Sequence, residues 1–132
     1  MVTDTEGVVR GYVDAANDGD LERILALLHP DVELHESETL PGAVHALGFD
    51  AVRRYLERFS THWSSVRWEP LELLFEGDRA LMVARLHLQG RESGILVARD
   101  WIYVFTVRDG KLLRQDGYDD RETALAALSG GS

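Results

Sequence analysis

Residues 101–128 read "WIYVFTVRDGKLLRQDGYDDRETALAAL", and this stretch decides the fold. An apolar, aromatic run ends at "DG", the dipeptide that most strongly signals a hairpin between two strand-like segments. The chain then returns through Arg114, Asp116 and Tyr118. A two-residue turn at Asp109 and Gly110 sets Arg108 opposite Lys111. Continued without interruption, that register places Phe105 opposite Arg114, Tyr103 opposite Asp116 and Trp101 opposite Tyr118. Side chains alternate across a strand, so all six are expected on one face with Val107 and Leu112. The expectation is a greasy wall with a carboxylate set into it, facing either a pocket or the surface.

Working back from this hairpin, "VRWEPLELLFEGDRALMVARLHLQG" (66–90) has a period of two and predicts another hairpin. It turns near Gly77 and Asp78 and pairs Leu73 with Met82 and Leu71 with Ala84. Before it the period is helical. Phe49, Val52, Tyr55, Leu56, Phe59 and Trp63 mark one amphipathic helix, and Val8, Val9, Tyr12, Val13 and Ala16 mark a first helix that Gly19 can end. Asp20 can cap a second helix with the stripe Leu21, Ile24, Leu25 and Leu28, broken by "HPD". "DVELHES" alternates like a short strand, and "ETLPGAVHALG" reads as a loop with turn signals at Pro41, Gly42 and Gly48. After the last hairpin, Asp119 and Glu122 resemble a capping box for a helix through Leu128.

Hairpin-connected strands cannot form a doubly wound parallel sheet. The predicted class is therefore α+β, a curved antiparallel sheet wrapped around the N-terminal helices as a cone with one open end. A chain of 132 residues predicts one domain over 1–132, with its core over about 5–128. The balance of 23 acidic against 14 basic residues, net −9, argues against nucleic acid and anionic membranes as partners. No stretch approaches a membrane span, and the start lacks the cationic and apolar regions of a signal peptide. With no cysteine, disulfide and thiolate chemistry are excluded, and the cytoplasm is the default expectation.

In that order and at those separations, "VVRGYVDAANDGDLERILALLHPDVELHE", "GFDAVRRYLERF" and "FTVRDGKLLRQDGYDDRETALAAL" resemble the SnoaL-like branch of the nuclear transport factor two-like superfamily, over roughly residues 5–128. That superfamily includes ketosteroid isomerase, polyketide cyclases of the SnoaL type, scytalone dehydratase, limonene epoxide hydrolase and many non-catalytic binders. The resemblance implies a deep pocket between the concave face of the sheet and the helices, used without metal or organic cofactor. The reactions it suggests are mostly proton transfers beside a carbonyl.

Two constellations could carry such chemistry. Asp116, walled by Tyr103, Trp101, Phe105 and Tyr118 in the uninterrupted register, would lose solvation and suit a general acid or base. Its position resembles the last-strand aspartate of SnoaL-type cyclases, although Tyr103 stands where those cyclases have a histidine. The alternative is a plain ion pair with Arg114. Tyr12 resembles the oxyanion-hole tyrosine on the first helix of ketosteroid isomerase, and counting on from the shared "GDL" brings Glu36 to that enzyme's general base. Base and donor on opposite sides of a pocket are what enolisation requires. The alternative makes Tyr12 a core residue and Glu36 an exposed strand-end acid.

The wall is expected to be dry and apolar. Met82 and Leu86, with Leu71, Leu73 and Ala84, would line it from the first hairpin, and Val52, Tyr55 and Phe59 would close it from the helix. His35, beside Glu36, and His45 could line its mouth. The five histidines have no i, i+4 pair and no cysteine to supplement them, unlike a zinc site. No phosphate-binding loop or nucleophile elbow is present. The expected function is proton transfer on a small hydrophobic carbonyl compound by an isomerase, cyclase or dehydratase. The alternative is a non-catalytic ligand-binding or dimerisation module. A homodimer is expected through the outer sheet face, where Ile102, Val104 and Leu113 would otherwise form an exposed apolar patch.

Overall fold

The computed structural model describes residues 4–36 and 45–130. Helix α1 (Asp4–Asn17) buries Val8, Val9, Tyr12, Val13 and Ala15. Gly19 follows it at φ 67°, a left-handed conformation that glycine adopts without a Cβ clash. Asp20 caps α2 (Leu21–Ala26) by accepting a bond from the Arg23 N–H. Strand β1 (Leu28–His35) begins directly afterwards, so "HPD" lies inside the strand and Leu28 is not on the helical stripe. Pairing with the last strand captures it early: Leu28 stands opposite Leu112, and the Leu112 N–H donates to the Leu27 carbonyl at 2.7 Å.

A short strand, β2 (His45–Leu47), pairs with β1 where sequence reading placed only loop. The turn signals at Pro41 and Gly42 lie outside the described residues. Gly48, at φ 93°, leads into α3 (Phe49–His62). Then come β3 (Trp63–Glu76), β4 (Arg79–Gly90), β5 (Leu96–Arg108), β6 (Lys111–Tyr118) and α4 (Arg121–Leu128). Asp120, one residue later than expected, caps α4 by accepting from the Thr123 N–H at 2.8 Å.

The six strands form one curved, unclosed sheet in the order β2-β1-β6-β5-β4-β3. All neighbours are antiparallel except β1 and β6, which run parallel. Helices α1, α2 and α3 pack on one face over the main core, which includes Val9, Val32, Met82, Phe105 and Leu112. Helix α4 covers part of the other face, where Ala124 and Leu128 seal Leu81 and Val104. The apolar patch expected on that outer face is therefore largely closed from within the chain, since Val104 is buried beneath α4.

Both hairpins turn where expected and then shift register. In the first, Leu73 pairs with Met82, but Pro70 rather than Leu71 stands opposite Ala84. A proline cannot donate to the ladder, and the bulge beside it turns Leu71 out to solvent. In the second, Asp109 and Gly110 both take positive φ and Arg108 pairs with Lys111, but Leu113 is an extra residue on β6. Beyond it Phe105 faces Gln115, Tyr103 faces Gly117 and Val104 faces Asp116. The uninterrupted register would bury Arg114 and Asp116 against aromatic rings, at a heavy desolvation cost. The bulge puts neutral Gln115 there instead.

Candidate functional site

A cavity of about 790 Å³ lies between the helices and the inner face of the sheet. Two rows of aromatic rings run along it, and all of them except the fully buried Phe105 line it. Along β5 the period of two stacks Phe105, Tyr103 and Trp101, with centroids 6.0 and 6.3 Å apart and the Trp101 and Tyr103 planes inclined by only 2°. Trp68 of β3 stacks on Tyr103 at 5.4 Å. Along α3 the i, i+4 spacing brings Tyr55 to Phe59 and Phe59 to Trp63, at 6.1 and 6.2 Å. Such rings bury large apolar area and hold their own geometry.

Glu36 enters this space from the end of β1. Val32 and Leu34 alternate inward before it and are buried, so Glu36 continues their face and lines the cavity. Burial pushes its carboxyl up to about 7, because the charged form loses hydration. Its Oε2 atom is buried without a hydrogen-bond partner. Three tyrosines share its field. Tyr55 is pushed up to about 12 by burial and then by the Glu36 charge, and Tyr12 and Tyr103 rise for the same two reasons in the same order. All three therefore remain protonated near neutral pH.

The Tyr12 hydroxyl donates to Gln115 Oε1 at 2.9 Å, a buried bond between α1 and β6. Trp101 Nε1, also buried, has no acceptor. The cavity thus holds an unsatisfied carboxyl oxygen and an unsatisfied N–H donor, and buried polar groups of this kind ordinarily have partners.

Of the residues singled out by sequence, the fold brings Tyr12, Glu36, Tyr55, Phe59, Leu86, Trp101 and Tyr103 around one cavity. Asp116 is not among them. The bulge turns it to the outer face, where Arg114 Nε donates to both its carboxylate oxygens at 2.9 and 2.8 Å. The ion-pair alternative is therefore what the geometry displays. Tyr118 shares that outer face opposite Ile102. His35 does too, with Nε2 at 2.8 Å from Glu33 and Nδ1 at 2.9 Å from His45 Nδ1. Phe105 and Met82 are fully buried core side chains behind the wall, filling volume that the expected lining had left open.

Sequence reading missed Gln115, which alternation would have shown only with the bulge in place. It also missed Arg91, Arg99, Ser60 and Ser64 at one end of the cavity, so the wall is not uniformly apolar. For Arg99 the signal was present: it continues the two-residue spacing of Phe105, Tyr103 and Trp101. Among the described residues, no group of three or more histidine, aspartate or glutamate side chains is arranged to hold a metal ion.

The SnoaL-like domain family matches residues 9–115. Among solved structures, TerC co-crystallized with polyporic acid is 25% identical over 96% of this chain and 98% of its own, with a TM-score of 0.76. A protein described as a candidate polyketide cyclase, from Sinorhizobium meliloti, is 27% identical over 85% and 94%, with a TM-score of 0.67. A nuclear transport factor two-like protein of unknown function from Burkholderia pseudomallei shares the fold at 22% identity over 96% and 98%, with a TM-score of 0.75. No curated protein matches the chain.

Proposed function

The chain belongs to the SnoaL-like domain family, and from that premise we propose that it moves a proton on a small, hydrophobic, carbonyl-bearing molecule, with Glu36 as the general base. The observation that carries this reading is the Glu36 carboxyl itself, buried among Tyr12, Tyr55 and Tyr103 in the cavity, with one oxygen unpartnered and an affinity for protons raised to about 7. A base poised near the working pH combines a useful ionised fraction with real basicity.

In this mechanism the substrate lies between the two aromatic rows. Ionised Glu36 removes a proton from the carbon next to the carbonyl, and the electron pair moves onto oxygen. The Trp101 N–H and the Tyr103 hydroxyl supply hydrogen bonds where that charge develops. Return of the proton at another carbon completes an isomerisation. Attack of the enolate on a second carbonyl, whose oxygen takes the proton from Glu36, completes a cyclisation, and expulsion of a β-hydroxyl, which takes that proton and leaves as water, completes a dehydration. The chain's likeness in fold to a candidate polyketide cyclase supports the group of reactions as a whole.

One observation favours the non-catalytic alternative: the Tyr12 proton is already committed to Gln115, so that donor is not free for an oxyanion. The deciding experiment incubates planar ketones with the protein in D₂O and follows deuterium entry beside the carbonyl by NMR. Exchange that disappears in Glu36→Gln supports the enzyme. Binding without exchange, in the wild type and in Glu36→Gln alike, supports the binding module.

A further inference from the structure

The cavity has a cationic end as well as an acidic one. Along β5 the inward row does not stop at Trp101, because Arg99 follows two residues further on the same face, opposite Leu86. Its guanidinium lies over the Trp101 ring, 5.2 Å from the centroid. Arg91 lines the same end, but it donates to the Ser60 and Trp63 carbonyls at 3.2 and 3.4 Å and so fastens the end of α3. Arg99 has no such duty. Among the described residues it has no carboxylate within ion-pair distance.

Two of the nearby acids are committed to other arginines. Asp100 points to the other face and gives both oxygens to Arg85, at 2.8 and 3.3 Å. Asp18, on the cavity lining, is held by Arg23 at 2.7 Å. Glu36 stands at the inner end. In a chain of net charge −9, an uncommitted arginine on a cavity wall is conspicuous. Weakly hydrated and planar, a guanidinium stacked on indole keeps its in-plane N–H groups available for a carboxylate or similar anion.

The geometry points to the substrate class: a planar organic anion, an aromatic or conjugated carbonyl compound with one acidic group remote from the reacting carbon, that group being held by Arg99. This rests on the reading of the cavity as the site of proton transfer and adds the feature that would orient the substrate within it. Tyr103 and Arg99 are four residues apart on one strand, a span of about 13 Å at the usual rise. That suits a molecule two or three rings long whose acid sits at the rim while its carbonyl reaches Trp101 and Glu36.

A matched pair of dyes tests this without a known substrate. 1-Anilinonaphthalene-8-sulfonate and N-phenyl-1-naphthylamine share a skeleton and differ by the sulfonate, and both report binding by fluorescence. Arg99→Gln is expected to weaken the anionic dye about tenfold, as losing one charge-assisted hydrogen bond does, and to leave the neutral dye within about twofold. Arg99→Lys should restore part of the loss. Arg99 also borders a smaller hollow of about 360 Å³ that Arg121 lines, so Arg121→Gln serves as the control and should change neither dye. Glu36→Gln should preserve the preference for the anion, so that failure of the proton-transfer reading and failure of this one remain separable. Equal weakening of both dyes by Arg99→Gln, a loss that follows Arg121 instead, or no binding of either dye to the folded wild type would overturn the proposal.

Discussion

Glu36 and Asp116 stand on opposite faces of one sheet: Glu36 lines the inner cavity, while Asp116 is clasped by Arg114 on the outer side. Of two carboxylates that sequence presents as rivals, only one is in a position to meet a buried ligand. Four expectations follow from the site around it.

Glu36→Gln keeps the shape of the side chain and removes its basicity. Turnover, read as deuterium exchange beside a ketone, should fall by about 10²- to 10⁴-fold, the range for loss of a general base. Asp116→Asn should leave it unchanged and shift stability by no more than about 1 kcal/mol, as expected for a partly exposed ion pair. The reverse pattern would return the chemistry to Asp116.

The same carboxyl makes stability depend on pH. Its ordinary value is 4.5 and its folded value about 7, so between these the folded chain keeps a proton that the unfolded chain has lost. Stability contributed by the neutral form is complete below pH 4.5, declines as pH rises to 7 and is flat beyond. The total loss is at most about 3 kcal/mol. Urea titrations should show wild type and Glu36→Gln equal at pH 4 and the variant more stable at pH 8; equality at both values would mean that Glu36 is well hydrated.

Tyr12→Phe removes the donor to Gln115 and leaves a buried amide oxygen unpaired. A loss of about 1–3 kcal/mol in unfolding free energy is expected, read from urea titrations. Restoring an apolar pair with Tyr12→Phe and Gln115→Leu together should recover much of it. If both variants are equally destabilised, the bond is not what ties α1 to β6.

Trp101→Phe retains an aromatic ring but deletes the unpartnered N–H. Because nothing among the described residues accepts that bond, thermal stability should hardly fall for want of it. If the indole steadies a developing oxyanion, kcat should drop by about tenfold or more with KM little changed. A change in KM alone would instead assign Trp101 to ground-state packing.

Much of the architecture is legible in periodicity. The helical spacing of Val8, Val9, Tyr12 and Val13 and the turn at Asp109 and Gly110 both lead to elements the fold contains, because local preference and burial agree there. Glu36 and Tyr12 were legible through family likeness, and Trp101 and Tyr103 through strand alternation. Of the residues misplaced by sequence, Asp116 and Tyr118 lie beyond the Leu113 bulge, and a one-residue slip exchanges faces. That slip answers a tertiary cost, the burial of Arg114 and Asp116, which no local window of sequence weighs. The parallel pairing of β1 with β6 was likewise invisible, since nothing local links residues 80 apart.

Leu113 also bears on how this site can change by descent. Removing that single position would close the bulge and let the ladder run directly from Val107 opposite Leu112 to Thr106 opposite Arg114, so Gln115 would still look inward and Asp116 outward. The bulge is therefore the place where β6 can lose a residue and keep its wall, whereas retaining Leu113 in a paired position would exchange the amide for an acid. A gap one residue wide at Leu113 in an alignment of relatives therefore marks the same wall, and an ungapped match between a bulged and an unbulged strand would equate side chains that never see the same ligand.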